Sequence, residues 1–174
     1  MTSLVHVTNR WLKNIDDGKV TGIVFIDLRK AFDTVDHAIM TQKLENFGVK
    51  GITNAWFKSY LADRSQVVCL EGEMSDPLPV EIGVPQGSIL GPLLFSLYLN
   101  DLPSVTTKCN ANMYADDTEM DHASKSPVEL EETINDDLTI LEKYFIRNRL
   151  SINVKKCEYM LVGTRQALSN FGDI

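Results

Sequence analysis

Apolar residues recur at helical spacing over residues 4–15, with Leu4, Val7, Trp11 and Ile15 on one face. The turn Asp16-Asp-Gly18 ends that helix. Thr21-Gly-Ile-Val-Phe-Ile26 follows, β-branched and aromatic enough to predict a buried central strand that ends at Asp27. Residues 37–47 and 52–61 read as two helices separated by Gly48-Val-Lys-Gly51, with Leu44, Phe47, Trp56, Phe57 and Tyr60 as core. Two strands are predicted at Ser65–Leu70 and Pro79–Ile82, joined through Glu71-Gly-Glu73. Ile89–Leu102 is strongly apolar and predicts a helix. Asn112-Met-Tyr extends as a strand into Asp116-Asp117, and Thr118 starts the return strand of a hairpin. Ser126-Pro-Val-Glu129 has capping-box spacing with proline at the first helical position. It opens a long amphipathic helix carrying Leu130, Ile134, Leu138, Leu141 and Phe145. Glu158–Val162 is the last strand. This order predicts an α+β fold: helices on one face of a mostly antiparallel sheet, with a split βαβ core of the ferredoxin-like kind.

Composition narrows the picture only a little. At 174 residues, 44% hydrophobic and 24% charged, the chain has an ordinary globular make-up and enough length for one sizeable core. No run approaches the ~20 apolar residues that span a bilayer, so no membrane partner is expected. The N-terminus lacks the basic start and apolar core of a secretion signal, which predicts an intracellular protein, nuclear or cytoplasmic. Cys69, Cys109 and Cys157 are an odd set without Cys-x-x-Cys spacing, so neither disulfides nor zinc are expected. The net charge of −7 argues against nucleic-acid binding at first sight. Its distribution is uneven: residues 1–60 carry +2, residues 61–118 carry −6 and residues 119–174 carry −3.

The acidic centre holds the candidate chemistry. Adjacent like charges at Asp116 and Asp117 raise one another's pKa unless a cation lies between them. A surface Asx turn is the plain alternative. Asp27 at the end of a buried strand could cap the following turn, or join the pair as a third carboxylate. Two strands ending in carboxylates suit two divalent ions about 3.5–4 Å apart, and oxygen ligands of this kind suit magnesium. Gly83-Val-Pro-Gln-Gly-Ser88 is a stiff loop in which Gly87 and Ser88 leave room for a flat ligand; an ordinary strand-to-helix turn would read the same way. Lys155-Lys156 is either a solvated pair or an ammonium beside a leaving phosphate group.

Four motifs in order resemble the palm domain of reverse transcriptases, and within them the non-LTR (LINE-like) retrotransposon type. They are Val24-Phe-Ile-Asp-Leu-Arg-Lys-Ala-Phe-Asp-Thr-Val-Asp-His37, Gly83-Val-Pro-Gln-Gly-Ser-Ile-Leu-Gly-Pro-Leu-Leu-Phe95 running on into Tyr98-Leu-Asn-Asp-Leu-Pro103, Tyr114-Ala-Asp-Asp-Thr118, and Leu150-Ser-Ile-Asn-Val-Lys-Lys156. The resemblance covers about residues 4–164. It implies an RNA-directed DNA polymerase that adds dNTPs to a primer 3′-hydroxyl on an RNA template, with a DNA primer. Two Mg²⁺ ions, replaceable by Mn²⁺, would be held by Asp27, Asp116 and Asp117, and Lys156 would act as general acid toward pyrophosphate. Backbone groups up to Lys30 and Ala31 would meet the triphosphate. Phe32 would exclude a 2′-hydroxyl, and Gln86 with Gly87 would contact the nucleotide or template.

The resemblance also implies departures. Residues 1–174 would be one palm fragment, with residues 1–18 a remnant of the fingers junction and no thumb. The return strand Glu119-Met-Asp121 is charged where the family is usually apolar, and Cys157 stands where the family often has threonine. Two alternatives follow: an inactive folded remnant of a mobile element, or another two-metal palm polymerase such as a maturase-like enzyme. A large residue at position 32 speaks against an RNA product.

Overall fold

Residues 3–114 and 117–171 are described in the computed structural model of the chain. In chain order the first elements are α1 (Ser3–Asp16), β1 (Val20–Ile26), α2 (His37–Asn46), α3 (Gly51–Leu61), β2 (Ser65–Gln66), β3 (Cys69–Leu70), β4 (Glu73–Met74) and β5 (Leu78–Pro79). Then come α4 (Leu90–Leu99), β6 (Asn110–Tyr114), β7 (Asp117–Ser124), α5 (Pro127–Arg147), β8 (Glu158–Val162) and α6 (Arg165–Leu168). Short 3-10 turns lie at Ala31–Thr34 and Leu102–Ser104. The chain divides into two units. The first comprises residues 1–28, 102–145 and 152–174, and the second residues 29–101 and 146–151.

The first unit is built on a four-stranded sheet in the order β6-β7-β1-β8. Both neighbours of β1 run antiparallel to it, β7 with Ile26 opposite Thr118 and β8 with Phe25 opposite Glu158. The predicted central strand is therefore central, and Val20, Ile23 and Ile26 are buried. Successive β residues face opposite sides of a sheet. On the Gly22 side lies α5: a Cβ on Gly22 would sit 2.7 Å from Ile134 Cδ1 and 3.2 Å from Leu130 Cδ2, so the ends of those side chains pack directly on the strand backbone. On the Thr21 side lies α1, where Asn14 Nδ2 donates to Thr21 Oγ1 at 3.1 Å. The α+β class and antiparallel sheet are as expected, and helices flank the sheet on both sides.

The start of α5 modifies the expected capping box. Ser126 Oγ accepts from Glu129 N at 3.4 Å, but the Glu129 carboxylate turns to Ser124 Oγ (2.6 Å). Ser124 Oγ also accepts from Ser126 N at 2.9 Å. Leu130, Leu141 and Phe145 are buried as predicted. Asp137 interrupts that apolar face, fully buried. It accepts from Thr107 N and Oγ1, Lys108 N and Cys109 N at 2.7–3.2 Å, fixing the lead-in to β6.

The second unit packs α2 and α4 around Met40, Leu44, Leu94, Phe95, Tyr98 and Leu99, all inaccessible to solvent. Asp36 caps α2 by accepting from Ile39 N (2.9 Å), and Arg149 binds its other oxygen at 2.6 Å. Buried Lys43 donates to Tyr98 O (2.6 Å) and Asp101 Oδ1 (2.7 Å); burial lowers its pKa against the pull of Asp101. Two core expectations fail here. Phe47, just past the end of α2, is exposed, and Trp56 is exposed because α3 turns Asn54 and Leu61 inward instead. The strands expected at residues 65–70 and 79–82 are fragments: Ser65–Gln66 pairs with Leu78–Pro79, and Cys69–Leu70 with Glu73–Met74. Glu71 and Gly72 both take positive φ (51° and 90°), the type I′ geometry that closes a two-residue hairpin. The resulting ribbon leaves Val68, Leu70, Met74 and Leu78 exposed.

Candidate active site

Asp27 follows the last residue of β1, and Asp117 opens β7. The paired register of β1 and β7 ends with Ile26 opposite Thr118, so Asp27 and Asp117 adjoin the last pair of the ladder. Both aspartates line a cavity of about 800 Å³, together with Lys155, Lys156, Glu119 and the apolar Leu4, Val7, Trp11 and Phe25. The predicted group Asp27, Asp117 and Lys156 is thus brought to one place. Asp116, predicted as a metal ligand and catalytic residue, lies outside the described residues.

The loop after Ser151 is pinned to the end of β1. Leu28 bridges to Ile152, Asn153 N donates to Asp27 O at 2.8 Å, and Asn153 Nδ2 donates to Asp27 Oδ2 at 2.9 Å. Asn153 O in turn accepts from Lys156 N (2.8 Å) and Cys157 N (3.2 Å), a turn that delivers the lysines to the cavity wall. Sequence reasoning gives Asn153 no role. Its place inside the fourth motif, three residues before Lys156, is the one signal that could have found it.

The charged return strand has a structural answer. Asp121 is fully buried and paired with Arg10 of α1, and it also accepts from Asn110 Nδ2 at 3.2 Å. Glu119 Oε2 accepts from Asn112 Nδ2 at 2.7 Å, while Glu119 Oε1 is enclosed without a partner among the described residues. Burial pushes the Glu119 carboxyl up to about 7; Asn112 opposes this and the Asp121 charge reinforces it. A raised carboxyl means the folded state holds its proton more tightly than the unfolded chain does. The stability from this group is therefore present at low pH and falls as pH rises from the usual glutamate range through about 7. Denaturation midpoints at pH 5 and pH 8 should converge in Glu119→Gln relative to the unmodified chain.

In the second unit the remaining predicted residues fall on two joined segments. Phe32 stacks on buried Phe95 with ring centroids 4.5 Å apart, which fixes its ring. Lys30 adopts the left-handed conformation (φ 46°). Ala31 is buried, and its carbonyl oxygen accepts from Thr34 Oγ1 at 3.1 Å. Gly83 has φ 89° and a Cβ there would lie 2.8 Å from Asp33 O, so the loop is closely docked. Gly83 N donates to Val35 O (2.7 Å) and Val84 N to Phe32 O (2.8 Å). Gln86 Nε2 donates to Asp33 Oδ1 at 2.7 Å. A Cβ on Gly87 (φ 77°) would meet nothing within 4 Å, the open space expected there. Lys30, Asp33, Arg64 and Gln86 line a second cavity of about 830 Å³. Arg64, whose guanidinium lies 4.5 Å from the Tyr60 ring centroid, is an addition that no sequence motif points to.

The fold places the chain among polymerase palms. A solved structure described as "Structure of apo telomerase from Candida Tropicalis truncated from C-terminal domain" matches 92% of this chain and 36% of that one, with TM-score 0.62 at 16% identity. The chain belongs to the family described as "Reverse transcriptase (RNA-dependent DNA polymerase)", whose pattern matches residues 3–170. A "Probable RNA-directed DNA polymerase from transposon BS" of Drosophila melanogaster is 34% identical across 87% of this chain and 18% of that protein. An "RNA-directed DNA polymerase from mobile element jockey" of the same organism is 28% identical across 93% of this chain and 18% of that protein. The chain thus spans 18% of the length of these non-LTR retrotransposon relatives. Among the described residues, no helix is long and apolar enough to cross a membrane.

The family generally uses divalent metal ions. The donor set suits one. Asp27 has one carboxylate oxygen taken by Asn153 and the other without a hydrogen bond among the described residues. Asp117 is exposed, with no hydrogen bond or ion pair among the described residues. Hard oxygen donors beside a cavity are what magnesium requires.

Proposed function

We propose that this chain carries the polymerising centre of a non-LTR retrotransposon reverse transcriptase, adding dNTPs to a DNA primer on an RNA template. The observation that carries this reading is the cavity that Asp27, Asp117 and Lys156 line together, at the end of the β1–β7 ladder. Asp27, Asp117 and Asp116 would hold two Mg²⁺ ions, with Mn²⁺ as substitute. When bound, such ions lower the pKa of a coordinated hydroxyl and offset charge on a transferring phosphoryl group. Lys156 supplies a proton donor for departing pyrophosphate. In the second unit, backbone groups at Lys30 and Ala31 meet the triphosphate, the ring of Phe32 selects the sugar, and Gln86 with Gly87 contacts nucleotide or template.

The charged return strand is compatible with a folded sheet, since Arg10 and Asn110 partner Asp121 and Asn112 holds one oxygen of Glu119. The test is Mn²⁺ binding by electron paramagnetic resonance, paired with Mg²⁺-dependent primer extension on an RNA template. Asp27→Asn should weaken Mn²⁺ binding at least ~10-fold and abolish extension. A folded wild-type chain that binds no Mn²⁺, or extension indifferent to Asp27→Asn, would refute the proposal.

A further inference from the structure

We infer that Asn153 is a positioning residue that sets the orientation of the Asp27 carboxylate for a divalent cation; this rests on the metal-binding reading of Asp27 given above. A carboxylate can only accept, so the amide of Asn153 must turn its Nδ2 toward Asp27 Oδ2, where it lies at 2.9 Å. The bond holds one oxygen and leaves the other for the metal. The backbone strengthens the arrangement: Asn153 N also bonds Asp27 O, so side chain and main chain of one residue grip side chain and main chain of the other.

The identity of the donor matters as much as its place. An amide orients a carboxylate without bringing a charge of its own to the site. A lysine or arginine at position 153 would supply a donor as well, but its charge would compete with the metal for the same oxygens. Cations are close at hand in the sequence, since Lys155 and Lys156 line the same cavity. Among the described residues, the hydrogen bond to the Asp27 carboxylate comes from the neutral Asn153. Outer-shell hydrogen bonds to metal-ligating carboxylates commonly change affinity about 10–100-fold when removed.

The experiment is Mn²⁺ titration of the full chain, followed by electron paramagnetic resonance, with urea denaturation of each metal-free variant alongside. Asn153→Ala should bind Mn²⁺ about tenfold more weakly. Asn153→Lys should bind more weakly again, despite restoring a donor. A residue that merely shaped the loop would lower metal-free stability in both variants and leave their affinities alike. Equal affinity in wild type and Asn153→Ala, or Asn153→Lys matching or exceeding Asn153→Ala, overturns the inference while leaving Asp27 as a ligand. Absence of Mn²⁺ binding in the wild type overturns both.

Discussion

Asp121→Ala should destabilise the chain by about 3–5 kcal/mol, seen as a large drop in urea midpoint. The reason is the charge left behind. Asp121 is inaccessible to solvent and faces Arg10, whose side chain is only 21% exposed and whose Nε has no partner among the described residues. Removing the carboxylate leaves a guanidinium enclosed between α1 and the sheet without its counter-charge. A native domain is stable by roughly 5–15 kcal/mol in all, so this single change consumes a large share. The complementary variant tests the cause. Arg10→Met with Asp121→Leu removes both charges and fills the space, and should recover most of the loss, because the desolvation of both ions disappears together. If the double variant is as unstable as Asp121→Ala, the pair is not what holds α1 to the sheet.

Asp137→Ala should cost about 2–4 kcal/mol, through a different route. Three backbone N–H groups, of Thr107, Lys108 and Cys109, would lose their acceptor; the cost of about 1–3 kcal/mol for an unsatisfied donor falls chiefly on buried Cys109, since Thr107 and Lys108 are exposed. Asp137 also predicts a pH dependence. Burial alone would raise its pKa, but the donors from Cys109, Lys108 and Thr107 outweigh burial and hold it at about 2 against an ordinary 3.8. The folded state thus holds this proton less tightly than the unfolded chain. Its contribution, about 2 kcal/mol, is complete above the ordinary aspartate range and is lost as pH falls through about 2. Acid titration of the denaturation midpoint should show that loss in the wild type and lack it in Asp137→Ala. The sign is opposite to that of Glu119, so acid strengthens one carboxyl site in the first unit and weakens the other.

Much of this is legible in the sequence. The central strand shows itself through Ile23, Val24, Phe25 and Ile26, and the long helix through its Leu130-to-Phe145 spacing, because burial on one face leaves a periodic trace. The four motifs define the family and most candidate residues. Other features are not legible. Phe47 and Trp56 look like core but are exposed, because aromatic content does not say which helical face turns inward. The ribbon between Ser65 and Pro79 breaks at Val67-Val68, since short strands owe their pairing to tertiary context more than to propensity. The charge of Asp121 could not be matched to its partner, because Arg10 lies 111 positions away. Asn153 is hidden for the same reason, 126 positions from the carboxylate it holds.

The exposed ribbon carries a liability that its own composition restrains. Val68, Leu70, Met74 and Leu78 are exposed on or beside short paired strands whose register turns Leu70 and Met74 to opposite faces, and short exposed strands of this kind can seed intermolecular sheet pairing. Between residues 65 and 82 there are four acids (Glu71, Glu73, Asp76 and Glu81) and no lysine or arginine. Those like charges act as gatekeepers that hold copies of the chain apart. Near the sequence pI of about 4.9 these acids lose part of their charge, and the aliphatic side chains beside them lose part of that restraint.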